Sequence, residues 1–275
     1  MLTVRPDWLN DLLAINGAYV SGHPSFAERL GISGAVTLRF LRLKECILYF
    51  LTIEPNQPDY QAEYLAAFNA GRLGELRQKF TPLVHVFYTE GSAEFTLFYP
   101  AKRTFITIDF REMTRLTAGH HQGFGQDVGS GKDINKSIND TFQTWTRECL
   151  SKYATANDLD AFMLAGPAPV FLELKRVTQP LADWRPYLDD IANFNSLNMI
   201  AQQRGGISVT LAYQADNPTE IACHRDIRPH NRDCIAGRFQ LLSPAAVTAN
   251  LLAVTTENDI TYTSTHWRKK PDYLR

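Results

Sequence analysis

Asp160, Glu173 and Lys175 are the residues in this sequence whose types and spacing could do chemistry. Asp158 precedes Asp160 by two positions, and Gly166-Pro167 separates both carboxylates from Glu173-Leu174-Lys175. The flanking residues are apolar, which reads as two short strands around a Gly-Pro turn. On a strand, residues i and i+2 share a face. Glu173 and Lys175 therefore point one way, and Val170, Leu172 and Leu174 point the other way into a core. A turn centred between Gly166 and Pro167 sets Asp160 opposite Glu173, and Asp158 opposite Lys175. Opposed Cβ atoms lie roughly 4.5–5.5 Å apart, so two carboxylates there repel. A cation between them relieves the repulsion, and hard divalent ions take oxygen ligands. The plain alternative is a surface hairpin with an ordinary ion pair.

Three further elements must hold such a hairpin. Residues 133–153 carry Ile134, Ile138, Phe142, Trp145 and Cys149 at helical spacing. Residues 184–203 read as a second helix, with Asp183 as N-cap, Leu188, Ile191, Phe194, Leu197 and Ile200 on its buried face, and Gly205-Gly206 ending it. Ile207–Tyr213 alternates as a strand and would run parallel to the Glu173 strand through that crossover helix.

An Asp at one strand end, Glu-x-Lys on the next, a helix before, and a helix and strand after together resemble the PD-(D/E)XK nuclease superfamily. That superfamily includes many restriction endonucleases and DNA repair nucleases. The resemblance covers roughly residues 134–215, and Leu159 stands where the family often has proline. It implies an α/β fold: a restriction-endonuclease-like mixed sheet core flanked by helices. It implies that Asp160, Glu173 and Lys175 are catalytic. Asp160, Glu173 and the backbone carbonyl of Leu174 would hold Mg²⁺, with Mn²⁺ as a substitute. Glu148, on the preceding helix, is an additional carboxylate, and Asp158 rivals Asp160 if the register slips by two. The implied activity is that of a Mg²⁺-dependent endodeoxyribonuclease in restriction or another defence role. Cutting both strands of DNA favours a homodimer. The alternative is a non-catalytic nucleic-acid- or partner-binding module on the same fold; a further one is an unrelated α/β domain in which Glu-x-Lys is coincidence.

The 275 residues are 44% hydrophobic with net charge −1, which excludes bulk basic character but not a local basic groove. Four cysteines without pairing-style spacing and no signal peptide lead to an expectation of the cytoplasm. No apolar run approaches the ~18 residues of a membrane span. The expected division is an N-terminal α+β region over 1–116, accessory or dimerising, and a nuclease-like α/β core over 117–275.

Within the first region, residues 6–15 read as a helix. Ser25 with Glu28 reads as the capping box of a second. Ala27, Leu30, Gly31 and Ile32 fit the first half of a helix-turn-helix, but residues 36–53 alternate as strands do. A helix over 58–80, broken near Gly71 and Gly74, precedes a β-meander of Leu83–Thr89, Ala93–Tyr99 and Thr104–Phe110. In the second region, the glycine-rich run 117–133 fails the phosphate-loop pattern: Gln126 replaces the first glycine and Asp133 follows Lys132. His120, His121 and Lys132 remain candidate phosphate contacts. Cys223, His224, His230 and Cys234 match no common zinc spacing, so zinc is not expected. The segment 223–234 reads instead as a basic loop whose Arg225, Arg228 and Arg232 could touch DNA, or as a loop balanced by Asp226 and Asp233. Residues 239–254 read as a short helix or strand pair, followed by a basic tail from His266.

Overall fold

The computed structural model describes residues 7–43, 46–118, 140–150, 154–166, 168–230, 233–256 and 262–268. The chain is mixed α/β, with two mixed sheets and eight α-helices among the described residues. It forms two compact units. Unit 1 joins Met1–Val20 to Leu159–Arg275, and unit 2 is Ser21–Asp158. The division therefore falls after Val20 and after Asp158 rather than at 116, because the first helix packs with the C-terminal sheet.

Unit 1 begins with α1 (Trp8–Ile15), capped by Asp7, whose side chain accepts from the Leu9 amide. Its sheet comprises β1 (Tyr19–Val20), β8 (Ala161–Met163), β9 (Val170–Arg176), β10 (Ile207–Gln214), β11 (Asn217–His230), β12 (Asp233–Leu242) and β13 (Tyr262–Thr265), in that spatial order. Among the described residues of this sheet, β9 and β10 are the strands that pair in parallel. The crossover between them holds α7 (Ile191–Arg204), which Gly205 ends in the left-handed region at φ 62°. On one sheet face, Leu9 and Leu13 of α1 and Val247 and Leu251 of α8 (Pro244–Thr256) pack against Val170, Leu172, Val209 and Leu211. Burying each of those leucines contributes about 2 kcal/mol. On the opposite face, Phe194 of α7 joins Trp184, Leu181, Ala212 and Ile227.

Unit 2 holds α2 (Pro24–Leu30), β2 (Ala35–Leu43), β3 (Cys46–Glu54), α3 (Tyr60–Asn69), α4 (Gly74–Lys79), β4 (Leu83–Phe87), β5 (Glu94–Tyr99), β6 (Thr104–Asp109), α5 (Phe110–Ala118), α6 (Thr141–Cys149) and β7 (Ala154–Asp158). Its strands lie in the order β6-β5-β4-β3-β2-β7, with β3 and β4 parallel. The expected meander is the β4-β5-β6 half of this sheet. Phe142 and Trp145 of α6 and Met113 of α5 cover one face over Phe50, Phe95 and Val86. Tyr64 of α3 sits edge-on to Phe87 and Phe98.

Several expectations change in detail. His23, with Pro24 in the first turn, caps α2 in place of Ser25, and α2 leads into β2, a strand and not a second DNA-reading helix. The helix expected over 133–153 is α6 within the described residues, and it belongs to unit 2. The helix expected from residue 184 begins at Ile191, with Asp190 and not Asp183 at its N-cap position; short 3-10 turns at Leu181–Asp183 and Leu188–Asp190 precede it. Within the described residues, the segment expected as a basic loop over 223–234 belongs to two paired strands, β11 and β12.

Candidate functional site

β8 and β9 pair antiparallel through Ala161↔Leu172, Phe162↔Phe171 and Met163↔Val170. This is the register expected from a turn at Gly166-Pro167. Asp160 lies one residue before this ladder, and its carboxylate accepts from the Leu174 amide at 2.7 Å. In a strand, the N–H and C=O of one residue leave the same edge. The Leu174 carbonyl therefore also faces the Asp160 side.

Glu173 and Lys175 share the α7 face of the sheet, and the Lys175 ammonium meets Glu173 Oε1 at 2.7 Å. A third carboxylate, Asp190, meets the same ammonium at 3.2 Å. The Phe194 ring lies 5.8 Å from Nζ. Burial alone would depress the Lys175 ammonium. Glu173, Asp190 and Asp160 outweigh it and hold Lys175 above the ordinary lysine value. Arg176 projects to the opposite face, where it pairs with Asp7 at 2.8 Å.

The polar row continues beneath α7. Glu173 is registered with Thr210 of β10, and Thr210 with His224 of β11. Thr210 and His224 are both buried, and the His224 ring lies 4.9 Å from that of Trp184. Burial, with some help from Arg185, pushes the His224 imidazole down to about 4.

The remaining candidates lie on other elements. Asp158 ends β7 in the other sheet, registered with Arg39 and not with Lys175, and its carboxylate lies 3.4 Å from Arg39 Nε. The backbone changes sheets at Leu159, so Asp158 is no rival to Asp160. Burial raises the Asp158 carboxyl against the pull of Arg39. Arg39 also forms two contacts with Asp140 and one with Tyr88, which accounts for a buried guanidinium in unit 2. Glu148 is exposed on α6 of unit 2, not on the sheet that carries Asp160, Glu173 and Lys175.

Arg225 is buried on β11 and lies 3.3 Å from Asp226, so it offers no guanidinium to a DNA backbone. Arg228 is exposed and stacks 4.7 Å over the Tyr262 ring. His120, His121, Lys132 and Arg232 lie outside the described residues. Cys223 packs into the core on the α1 face, whereas the adjacent His224 meets Trp184 on the α7 face. These two side chains therefore diverge and do not form half of a zinc site.

Asp190 was missed by sequence reasoning because the helix start was set too early. Pro186 argues against a start at residue 184, since a proline disfavours helical geometry in the residue before it.

Hard oxygen donors dominate the set: two carboxylates on adjacent strands and one backbone carbonyl on the same edge. Among the described residues, no group of three or more His, Cys, Asp or Glu side chains converges as a ready-made metal cage. Two carboxylates and a carbonyl, completed by water, suit Mg²⁺, which dehydrates reluctantly and rarely takes an all-protein cage.

Among the described residues, no helix is long and apolar enough to cross a membrane. No family model matches the chain, and no curated protein or solved structure matches it either.

Proposed function

We propose that the Asp160–Glu173–Lys175 face is the active site of a Mg²⁺-dependent DNA endonuclease built on a restriction-endonuclease-like core. One observation carries this reading: the Asp160 carboxylate accepts from the amide of Leu174, the residue between Glu173 and Lys175, whose side chains pair on one face of β9. The order β8, β9, α7 and β10 supports it; the helix expected before these strands, α6, belongs to unit 2.

Asp160, Glu173 and the Leu174 carbonyl would hold the ion. When bound, Mg²⁺ supplies a water of lowered pKa and charge to offset the scissile phosphate. Asp160 is oriented for that task by the Leu174 amide, which donates to one of its carboxylate oxygens. Lys175 brings a fully charged ammonium to the same face. There it orients the attacking water and stabilises negative charge as it develops on the phosphate. Phe194 shields the ammonium from bulk solvent, which strengthens its field at the site.

The test is cleavage of supercoiled plasmid DNA with Mg²⁺ by the wild type, Glu173→Ala and Lys175→Ala. Nicked and linear products are expected from the wild type alone. Equal cleavage by all three proteins, or by none, removes the nuclease reading.

A further inference from the structure

We propose that Asp190 is the positioning residue of this site: it holds the Lys175 ammonium when the Glu173 carboxylate turns to a divalent cation. The inference rests on the metal-dependent reading above and assigns a task to a residue that the Glu-x-Lys pattern does not contain.

Lys175 has three N–H donors and no acceptor. In the structure it spends them on Glu173 at 2.7 Å and Asp190 at 3.2 Å. The ammonium sits on Glu173 Oε1, so a divalent ion on the same carboxylate draws on the same negative charge, and each weakens the other's hold. If Glu173 were the ammonium's sole partner, metal and lysine would compete for it. Asp190 eases the competition, because it keeps Lys175 aimed after Glu173 has moved.

Two independent observations fit this task. Asp190 occupies the N-cap position of α7, where an aspartate ordinarily accepts from an amide of the first turn, yet its side chain makes no capping bond. That carboxylate points instead to Lys175. The turn that carries Asp190 is also fixed from outside β9: the Leu188 amide donates to the Arg268 carbonyl at 2.9 Å, and the Arg268 amide donates to the Pro186 carbonyl at 2.9 Å. Asp190 can thus stay in place while Glu173 rotates.

The test uses the full chain and Mn²⁺ alone, titrated by calorimetry into the wild type, Asp190→Asn, Lys175→Met and the double variant. Asparagine is as good an N-cap as aspartate, so α7 keeps its start, and Asp190→Ser serves the same purpose if the first variant folds poorly. Asp190→Asn is expected to weaken Mn²⁺ binding about ten-fold, because Lys175 then leans on Glu173 alone. In the Lys175→Met background the same change should cost less than about three-fold, since no ammonium remains to compete. In DNA cleavage, Asp190→Asn should lower kcat with KM unchanged, and Asp190→Glu should restore most of it.

An equal effect of Asp190→Asn on Mn²⁺ affinity in both backgrounds overturns the proposal, because Asp190 would then act without Lys175. So does a wild-type kcat in Asp190→Asn. A wild type that binds no Mn²⁺ and cuts no DNA is a different outcome: it removes the metal-dependent reading itself, and the role of Asp190 with it.

Discussion

Acidification to pH 5 should destabilise unit 2 through one histidine. His85 on β4 is 1% exposed, and its ring shares a hydrogen bond with the Tyr64 hydroxyl through Nδ1. Its Nε2 is buried without a hydrogen-bond partner among the described residues. Burial, with a smaller push from Arg77, takes the imidazole down to about 3. An unfolded chain titrates its histidines near about 6.5. Between those two values the unfolded state binds the extra proton, so stability is full above about 6.5 and falls as pH drops toward about 3. At pH 5 the unfolded histidine lies about 1.5 units above the solution pH, which at about 1.4 kcal/mol per unit comes to about 2 kcal/mol. Urea unfolding at pH 7 and pH 5 measures this directly. The wild type should lose about 2 kcal/mol more than His85→Gln over that interval, whatever the variant loses at pH 7. The comparison also cancels the Glu54 and Asp158 carboxyls, which are raised by burial and act in the opposite sense. Parallel pH profiles for the two proteins would refute the assignment of a neutral buried imidazole.

Arg39→Met should be among the costliest substitutions in unit 2. It leaves Asp140 and Asp158 without their guanidinium, a loss of about 3–5 kcal/mol for a broken buried ion pair, readable as a fall in urea midpoint. Gly206→Ala should distort the start of β10, because a Cβ there would lie 2.4 Å from the Pro169 carbonyl oxygen, which already accepts from Ile207. A loss of about 2–3 kcal/mol is expected by thermal melting, and a neutral result would show that the turn relaxes freely.

The β8–β9 register was legible because the side-chain period of a strand is two and a Gly-Pro turn fixes its phase. Those two facts set Asp160 against Glu173 without knowledge of any other element. Asp158 was misread for the same reason. Two residues from Asp160 it looks like part of one strand, but its partner Arg39 lies more than a hundred positions away and leaves no local trace. The 223–230 stretch was read as a loop because its charges break the alternation. The structure shows why: β11 is irregular between Cys223 and Arg225 and again between Arg225 and Arg228, with Asp226 at φ 48°. A bulge shifts the side-chain phase by one, so a real strand stops alternating on paper. Helices α3 and α4 fell as expected on either side of Gly71, because their breaks are local.

The division of unit 1 into two chain segments sets an order of events during synthesis. β1 pairs with β8 at Tyr19↔Phe162 and Val20↔Ala161, and all of unit 2 is made between those partners. Closing so long a loop from a disordered chain is entropically slow. A folded unit 2 shortens it, because both of its ends are held on β2. The Ser21 hydroxyl accepts from Leu38, and Asp158 is registered with the next residue, Arg39. Until unit 2 has folded, β1 waits for its partner, and the strand that bears Asp160 at its entrance has no neighbour on that edge.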